Sequence, residues 1–173
     1  PLVFSEHRPY LTVGFVNGAE TVISNSAAAI FSPPNFLFAV MSTKLHYVWA
    51  ANVGGRLKTD IRYSNSLVFN TFPLPEMSPQ QQEELEEHTW SIIGAREANP
   101  GKTIAWLYNP ETMPANLIAT HKKLDESFER ICIGRSFKDD TERLEYLFKQ
   151  YANLIRNGKS GAEPELGFKG KKK

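Results

Sequence analysis

Residues 72–81, Phe72-Pro73-Leu74-Pro75-Glu76-Met77-Ser78-Pro79-Gln80-Gln81, divide this chain into two kinds of sequence. The paired prolines make Phe72 to Pro75 a stiff, extended exit, because each ring fixes φ and removes a backbone donor. Ser78 then reads as a helix N-cap, with Pro79 at the first helical position and Gln81 placed to return a side-chain bond to the cap. After this point apolar residues recur at three and four. Before it, short β-branched and aromatic runs predominate. The expectation is an α+β chain, a mixed strand and helix portion followed by a small helical bundle.

Downstream, the first helix carries Leu85, His88, Ile92 and Ile93 along one side and gives way to a loop at Asn99-Pro100-Gly101. Met113-Pro114 opens a second, with Leu117, His121, Leu124, Phe128 and Ile131 in a heptad-like stripe. Asp139 and Glu142 form a capping pair for a last helix bearing Leu144, Leu147, Phe148, Tyr151, Leu154 and Ile155. From Gly158 the chain is rich in glycine and lysine and reads as a disordered basic tail.

Upstream, residues 10–16 and 20–24 flank Asn17-Gly18, the strongest short signal for a β-hairpin. From Asn35 to about Asn52, Phe36, Leu37, Val40, Met41, Lys44, Tyr47, Val48 and Ala51 follow helical spacing, and Gly54-Gly55 suits a left-handed helix terminus. Residues 56–72 show no helical stripe and read as one or two extended segments with a turn near Ser64-Asn65-Ser66.

The 173 residues carry 41% hydrophobic and 23% charged side chains, enough apolar material for a packed core. A single cysteine, Cys132, excludes a disulfide framework and suits a reducing compartment. No apolar run reaches the roughly 18–20 residues that span a bilayer. The opening Pro1-Leu2-Val3-Phe4 has no basic leader and reads as the interior of a longer protein. The net charge of +1 hides an uneven distribution: residues 81–157 carry ten basic and thirteen acidic side chains, and the tail five and two. An anionic partner is therefore met by the first half or the tail.

Few residues offer chemistry. Cys132 lies between Ile131 and Ile133 with no assignable base, as a buried structural cysteine would. His7, His46, His88 and His121 are scattered, without metal-ligand spacing. Ser32-Pro33-Pro34-Asn35 superficially resembles the Pro-Pro-aromatic loop of amino-methyltransferases, but Phe36 comes one place late and no glycine-rich strand–loop precedes it. A proline break before a helix is the better reading. No phosphate-binding loop, dinucleotide fingerprint, nucleophile elbow or zinc-protease motif is present, so the chain itself shows no catalytic constellation.

The informative stretch is Gly54 to Phe72. In an extended Arg56–Arg62, side chains alternate: Arg56, Lys58, Asp60 and Arg62 line one face, and Leu57, Thr59, Ile61 and Tyr63 the other. Lys58 and Asp60 then stand about 7 Å apart. A lysine donates to guanine O6 and N7 and a carboxylate accepts from the cytosine amino group, so the couple suits one G·C pair in the major groove. Arg56 and Arg62 would hold phosphates. The plainer reading is a solvent-facing strand in which Asp60 pairs with Lys58 or Arg62, worth about 0–1 kcal/mol.

Residues 55–73, Gly-Arg-Leu-Lys-Thr-Asp-Ile-Arg-Tyr-Ser-Asn-Ser-Leu-Val-Phe-Asn-Thr-Phe-Pro, resemble a segment near the C-terminal end of MmeI-like type IIL restriction–modification proteins. Ser5-Glu6-His7-Arg8-Pro9-Tyr10, Thr21 to Ala27, Leu45-His46 to Trp49, Leu107-Tyr108-Asn109-Pro110 with Met113-Pro114, and Leu124-Asp125 resemble further parts, so the likeness runs over residues 1–157. Those enzymes join a nuclease, an adenine-N6 DNA methyltransferase and a target-recognition domain. The resemblance implies the C-terminal part of a recognition domain over 1–75, a helical C-terminal domain over 76–157 and a tail over 158–173. It also implies double-stranded DNA as partner, alongside the nuclease and methyltransferase domains of the same chain. The setting would be cytoplasmic, in bacterial defence. Lys58 and Asp60 match the family's base-reading pair, and Asn25 and Ser26 fall in a loop that reads further positions; beside that likeness, Arg56, Arg62 and Lys44 are expected from their charge to position the DNA backbone. This stretch would need no cofactor and would not itself be an enzyme. S-adenosylmethionine and magnesium belong to the parent. The alternative is a protein-interaction module that does not touch nucleic acid.

Overall fold

The computed structural model describes residues 1–5, 7–8, 11–24, 27–57 and 60–157, without the side chains of 5, 7, 8, 56, 57 and 60. The expected α+β class holds, but the two compact units are not two consecutive segments. The first is built from Pro1–Pro33, Tyr47–Leu74 and Lys138–Lys173, the second from Pro34–His46 and Pro75–Phe137.

In the first unit, β1 (Leu2–Ser5) lies between β3 (Val13–Phe15) and β4 (Ala27–Ile30), antiparallel to both. Register sets Phe4 opposite Val13 and Ala28, and Leu2 opposite Phe15 and Ile30. Facing residues share one side of a sheet, so Leu2, Phe4, Val13, Ala28 and Ile30 form a buried face. Among the described residues, the hairpin expected from 10–16 and 20–24 does not form. Asn17 does make a turn, its side chain accepting from the Ala19 N–H at 3.1 Å, but residues 21–24 form no strand and β3 pairs with β1 instead. An Asn-Gly pair sets a local reversal. Which strand the reversed chain joins depends on the apolar face available.

A second sheet has the order β2–β6–β5, from β2 (His7–Arg8), β5 (Gly55–Leu57) and β6 (Asp60–Arg62). After it comes a π-helical turn, Asn65–Phe69, where the sequence predicts an ordinary turn. The last helix, α6 (Asp140–Arg156), also belongs to this unit. Asp139 caps it as expected, accepting from the Glu142 N–H at 2.9 Å, while Glu142 reaches back to the Lys138 N–H at 2.7 Å.

The continuous helix expected from Asn35 to Asn52 is two helices, α1 (Phe36–Met41) and α2 (Lys44–Val53). The break is chemical. The Ser42 hydroxyl donates to the Phe38 carbonyl at 2.8 Å and the Thr43 hydroxyl to the Val40 carbonyl at 2.7 Å. Thr43 Oγ1 then accepts from the His46 N–H at 3.1 Å, as an N-cap does, and Asp125 takes the Lys44 N–H at 2.7 Å. Buried helix starts need such acceptors because water is excluded.

In the second unit, α1 packs on α3 (Pro79–Glu97), which packs on α5 (Ala115–Ile133); α4 (Ile104–Leu107) lies in the connection between α3 and α5. Every residue of α1 is buried. The Ser78–Gln81 capping box forms in both directions, at 3.3 Å and 2.8 Å. The buried seam of α3 is Leu85, Thr89, Ile92 and Ala95. Thr89 takes the place expected for His88 because its hydroxyl donates to the Asn35 carbonyl at 3.0 Å. On α5, Leu117, Leu124 and Phe128 are buried as their stripe predicts, and Gly134 ends the helix at φ 78°, a left-handed cap.

Candidate nucleic-acid interface

The segment 54–72 is held from its apolar side. Ile61 and Tyr63 are buried at 3% and 2% exposure, and the Tyr63 ring meets Phe4 edge-on at 4.7 Å between centroids. Burial raises the Tyr63 phenol above its usual range, so the ring stays neutral. Arg62, between them, is exposed, as strand alternation requires. Its side chain lies over Gly55, where an added Cβ would sit 3.6 Å from Arg62 Cβ and 3.8 Å from Cδ.

The ribbon differs from the sequence expectation in its strands and in its register. β5 ends at Leu57, and β6, antiparallel to it, begins at Asp60 with Leu57 facing Asp60, Arg56 facing Ile61 and Gly55 facing Arg62. Arg56 and Arg62 therefore lie on different strands, and Arg56 is paired with Ile61 rather than aligned with Asp60 and Arg62, as the sequence reading expects. β6 gains a neighbour on each side, β5 and β2, so its backbone groups are satisfied from both edges, which a lone extended strand cannot achieve.

Gly54 leads into β5 without a left-handed φ, contrary to the expected helix terminus. Its requirement is space. An added Cβ would overlap the Ala50 carbonyl oxygen and stand 3.2 Å from the Arg62 carbonyl oxygen and 3.3 Å from Val68 Cγ2. Two of these are backbone atoms and cannot swing aside. Gly54→Ala is expected to destabilise the protein by about 1–3 kcal/mol in urea unfolding. Gly55→Ala, whose Cβ meets ordinary contacts, should cost distinctly less; equal losses would remove the steric account.

Beyond β6, Ser64 Oγ accepts from the Leu67 N–H at 3.3 Å and the Ser64 carbonyl from the Val68 N–H at 2.7 Å. Val68 is fully buried. The Trp49 indole N–H donates to the Val68 carbonyl and to Thr71 Oγ1, each at 3.2 Å. These anchors escape a sequence reading, because Trp49 and Thr71 are 22 residues apart and meet only in the folded unit.

Of the remaining candidates, Lys44 lies in the second unit, half-buried at the first turn of α2. Lys58, Asn25 and Ser26 lie outside the described residues, as do the side chains of Arg56 and Asp60 and the tail from residue 158. Cys132 is partly exposed rather than buried. Among the described residues no three of His, Cys, Asp and Glu gather as a metal ion needs, and no helix is long and apolar enough to cross a membrane.

Two histidines sit in the second unit as neutral rings. Burial lowers His46 to a pKa of about 3 and His121 to about 4, the latter helped by the Arg96 guanidinium. Arg96 donates to the Tyr108 hydroxyl at 2.6 Å and 3.0 Å, and that hydroxyl lies 2.8 Å from His121 Nε2. With Arg96 donating to the oxygen, the tyrosine proton goes to Nε2, which requires the neutral ring.

Comparison with known proteins gives a consistent picture. Residues 1–76 match the MmeI target recognition domain and residues 77–157 the MmeI C-terminal domain. The chain is 43% identical over 154 residues to DNA methyltransferase A of Bacillus subtilis (strain 168), covering 89% of this chain and 17% of that protein. Among solved structures it is similar to the type IIL restriction–modification enzyme MmeI in complex with DNA, with a TM-score of 0.85 and 33% identity over 90% of this chain and 21% of the other. The chain thus spans about a fifth of the length of these relatives.

Proposed function

This chain belongs to the MmeI family through both a target recognition domain and a C-terminal domain, and from that premise we propose that it reads the target sequence on double-stranded DNA for a bifunctional adenine methyltransferase and restriction endonuclease. The observation that carries the reading is the likeness, over 90% of the chain, to MmeI solved with DNA. It is supported by the β5–β6 ribbon, which buries Ile61 and Tyr63 and exposes Arg62.

In this reading Lys58 donates to guanine and Asp60 accepts from the cytosine of one base pair in the major groove. Arg56, Arg62 and Lys44 hold phosphates and fix register. Asn25 and Ser26 read further bases. Residues 1–75 form the C-terminal part of the recognition domain and residues 76–157 the helical domain that braces it, followed by a basic tail over 158–173. The nuclease and methyltransferase parts of the same protein supply the chemistry, with magnesium and S-adenosylmethionine, in the cytoplasm.

Salt titration tests the reading. Three phosphate contacts alone give a slope near −2.7 in log affinity against log salt, about a 40-fold loss between 50 mM and 200 mM. Fluorescence anisotropy with the intact protein and duplex DNA measures it. Binding that ignores salt, or no binding to any duplex, would leave the protein-interaction alternative in its place.

A further inference from the structure

We infer that Trp49 is a positioning residue for base recognition and that α6 is a working part of the recognition unit; both rest on the DNA-reading function proposed above. The π-helical turn Asn65–Phe69 begins three residues after β6 ends. Single π-helical turns are rare and occur frequently at functional sites. Ser64 caps the start of this one, and Trp49 holds its far side. Its N–H reaches the Val68 carbonyl, which also accepts from the Phe72 N–H at 3.1 Å. It also reaches Thr71 Oγ1, whose own proton goes to the Leu67 carbonyl at 2.6 Å. One indole thus ties the turn at Val68 directly and at Leu67 through the Thr71 hydroxyl, while Tyr63 against Phe4 ties the strand before it. The path of β6, and with it the ribbon carrying Asp60 and Arg62, is fixed at two points.

The Trp49 ring is in turn set by α6. At 1% exposure it meets Phe148 edge-on at 5.5 Å and Tyr151 at 5.6 Å with planes inclined by 57°. Aromatic contacts at these distances prefer inclined rings, so the two side chains orient the indole and aim its N–H. α6 lies within residues 77–157, which match the C-terminal domain, yet it folds into the compact unit that holds β5 and β6. Base readout is sensitive to this support, because hydrogen bonds weaken steeply with misalignment. Phosphate contacts through long flexible side chains are not.

The test uses the intact protein and the ratio of its affinities for cognate and single-mismatch duplexes at fixed salt. Trp49→Phe keeps a ring against Phe148 and Tyr151 but loses the N–H; the ratio should fall about tenfold, with non-specific affinity and salt slope unchanged. Thr71→Val should lower the ratio in the same direction, and Thr71→Ser, which keeps the hydroxyl, should restore it. Tyr151→Ala should lower it as well. A drop in melting temperature with the ratio intact in Trp49→Phe, or equal ratios for Thr71→Ser and Thr71→Val, would overturn the role of Trp49. An unchanged ratio in Tyr151→Ala would overturn that of α6. Should Trp49→Phe fail to fold, the Thr71 pair decides. If the unaltered protein discriminates between no duplexes at all, the DNA-reading function fails first, and this inference with it.

Discussion

Lys58→Glu combined with Asp60→Arg in the intact protein is expected to change the preferred base pair at one position of the target and to leave the other positions as they were. The reason is polarity. A lysine offers only donors, which the O6 and N7 of guanine accept, and a carboxylate offers only acceptors, which the cytosine amino group needs. Exchanging the charges puts an acceptor where the donor stood, so the original G·C pair meets two mismatched edges and the inverted pair two matched ones. Each good contact is worth about 1–3 kcal/mol of discrimination, so preference at that position should shift by two orders of magnitude or more. Neither single change should do this, since each leaves one buried polar group opposed. Binding to a randomised duplex library, followed by sequencing of the bound fraction, reads the result. A uniform loss of affinity with unchanged base preference would reduce the pair to a backbone contact.

Acid is expected to unfold the protein through its second unit well before general carboxylate titration. His46 and His121 have folded-state pKa values near 3 and 4, below the 6.5 of an unfolded histidine, and His88 is lowered as well, chiefly by burial. The unfolded state therefore binds more protons throughout the interval, so stability rises with pH there. The contribution is complete above pH 6.5 and is lost as pH falls towards 4 for His121 and towards 3 for His46. Between pH 7.5 and pH 5 the loss is about 2 kcal/mol for each of these two rings. Urea midpoints measured over that range should fall continuously. His121→Gln, which cannot titrate, should start lower because it disturbs Tyr108 and Arg96, but should show a shallower slope. A midpoint independent of pH from 7.5 to 5 would mean that the histidines are not held neutral.

Local chemistry was legible in the residue order. The Ser78-Pro79-Gln81 start of α3, the Asp139 cap of α6 and the stripe of α5 depend on neighbours within four positions. The family likeness was legible for a related reason: residues 55–73 carry several constraints at once, with a buried Tyr63, a capping Ser64, a buried Val68 and a Thr71 that meets Trp49. What misled was periodicity taken without partners. Residues 35–52 keep helical spacing through Ser42-Thr43, yet those two hydroxyls divert the backbone carbonyls and a carboxylate from α5 makes a second start favourable. Residues 56–62 alternate well enough for one strand, yet two short strands leave fewer unpaired backbone groups.

By itself, then, the sequence determined the α+β class, the starts of α3, α5 and α6 and the membership of the MmeI family, because each is written in short-range patterns or in a long contiguous motif. Tertiary structure alone decided that α1 packs with α3 while α6 joins the unit holding β5 and β6, and that Trp49 secures the turn after β6. Those outcomes turn on which apolar faces find each other across tens of residues, and burial free energy depends on area rather than on order along the chain.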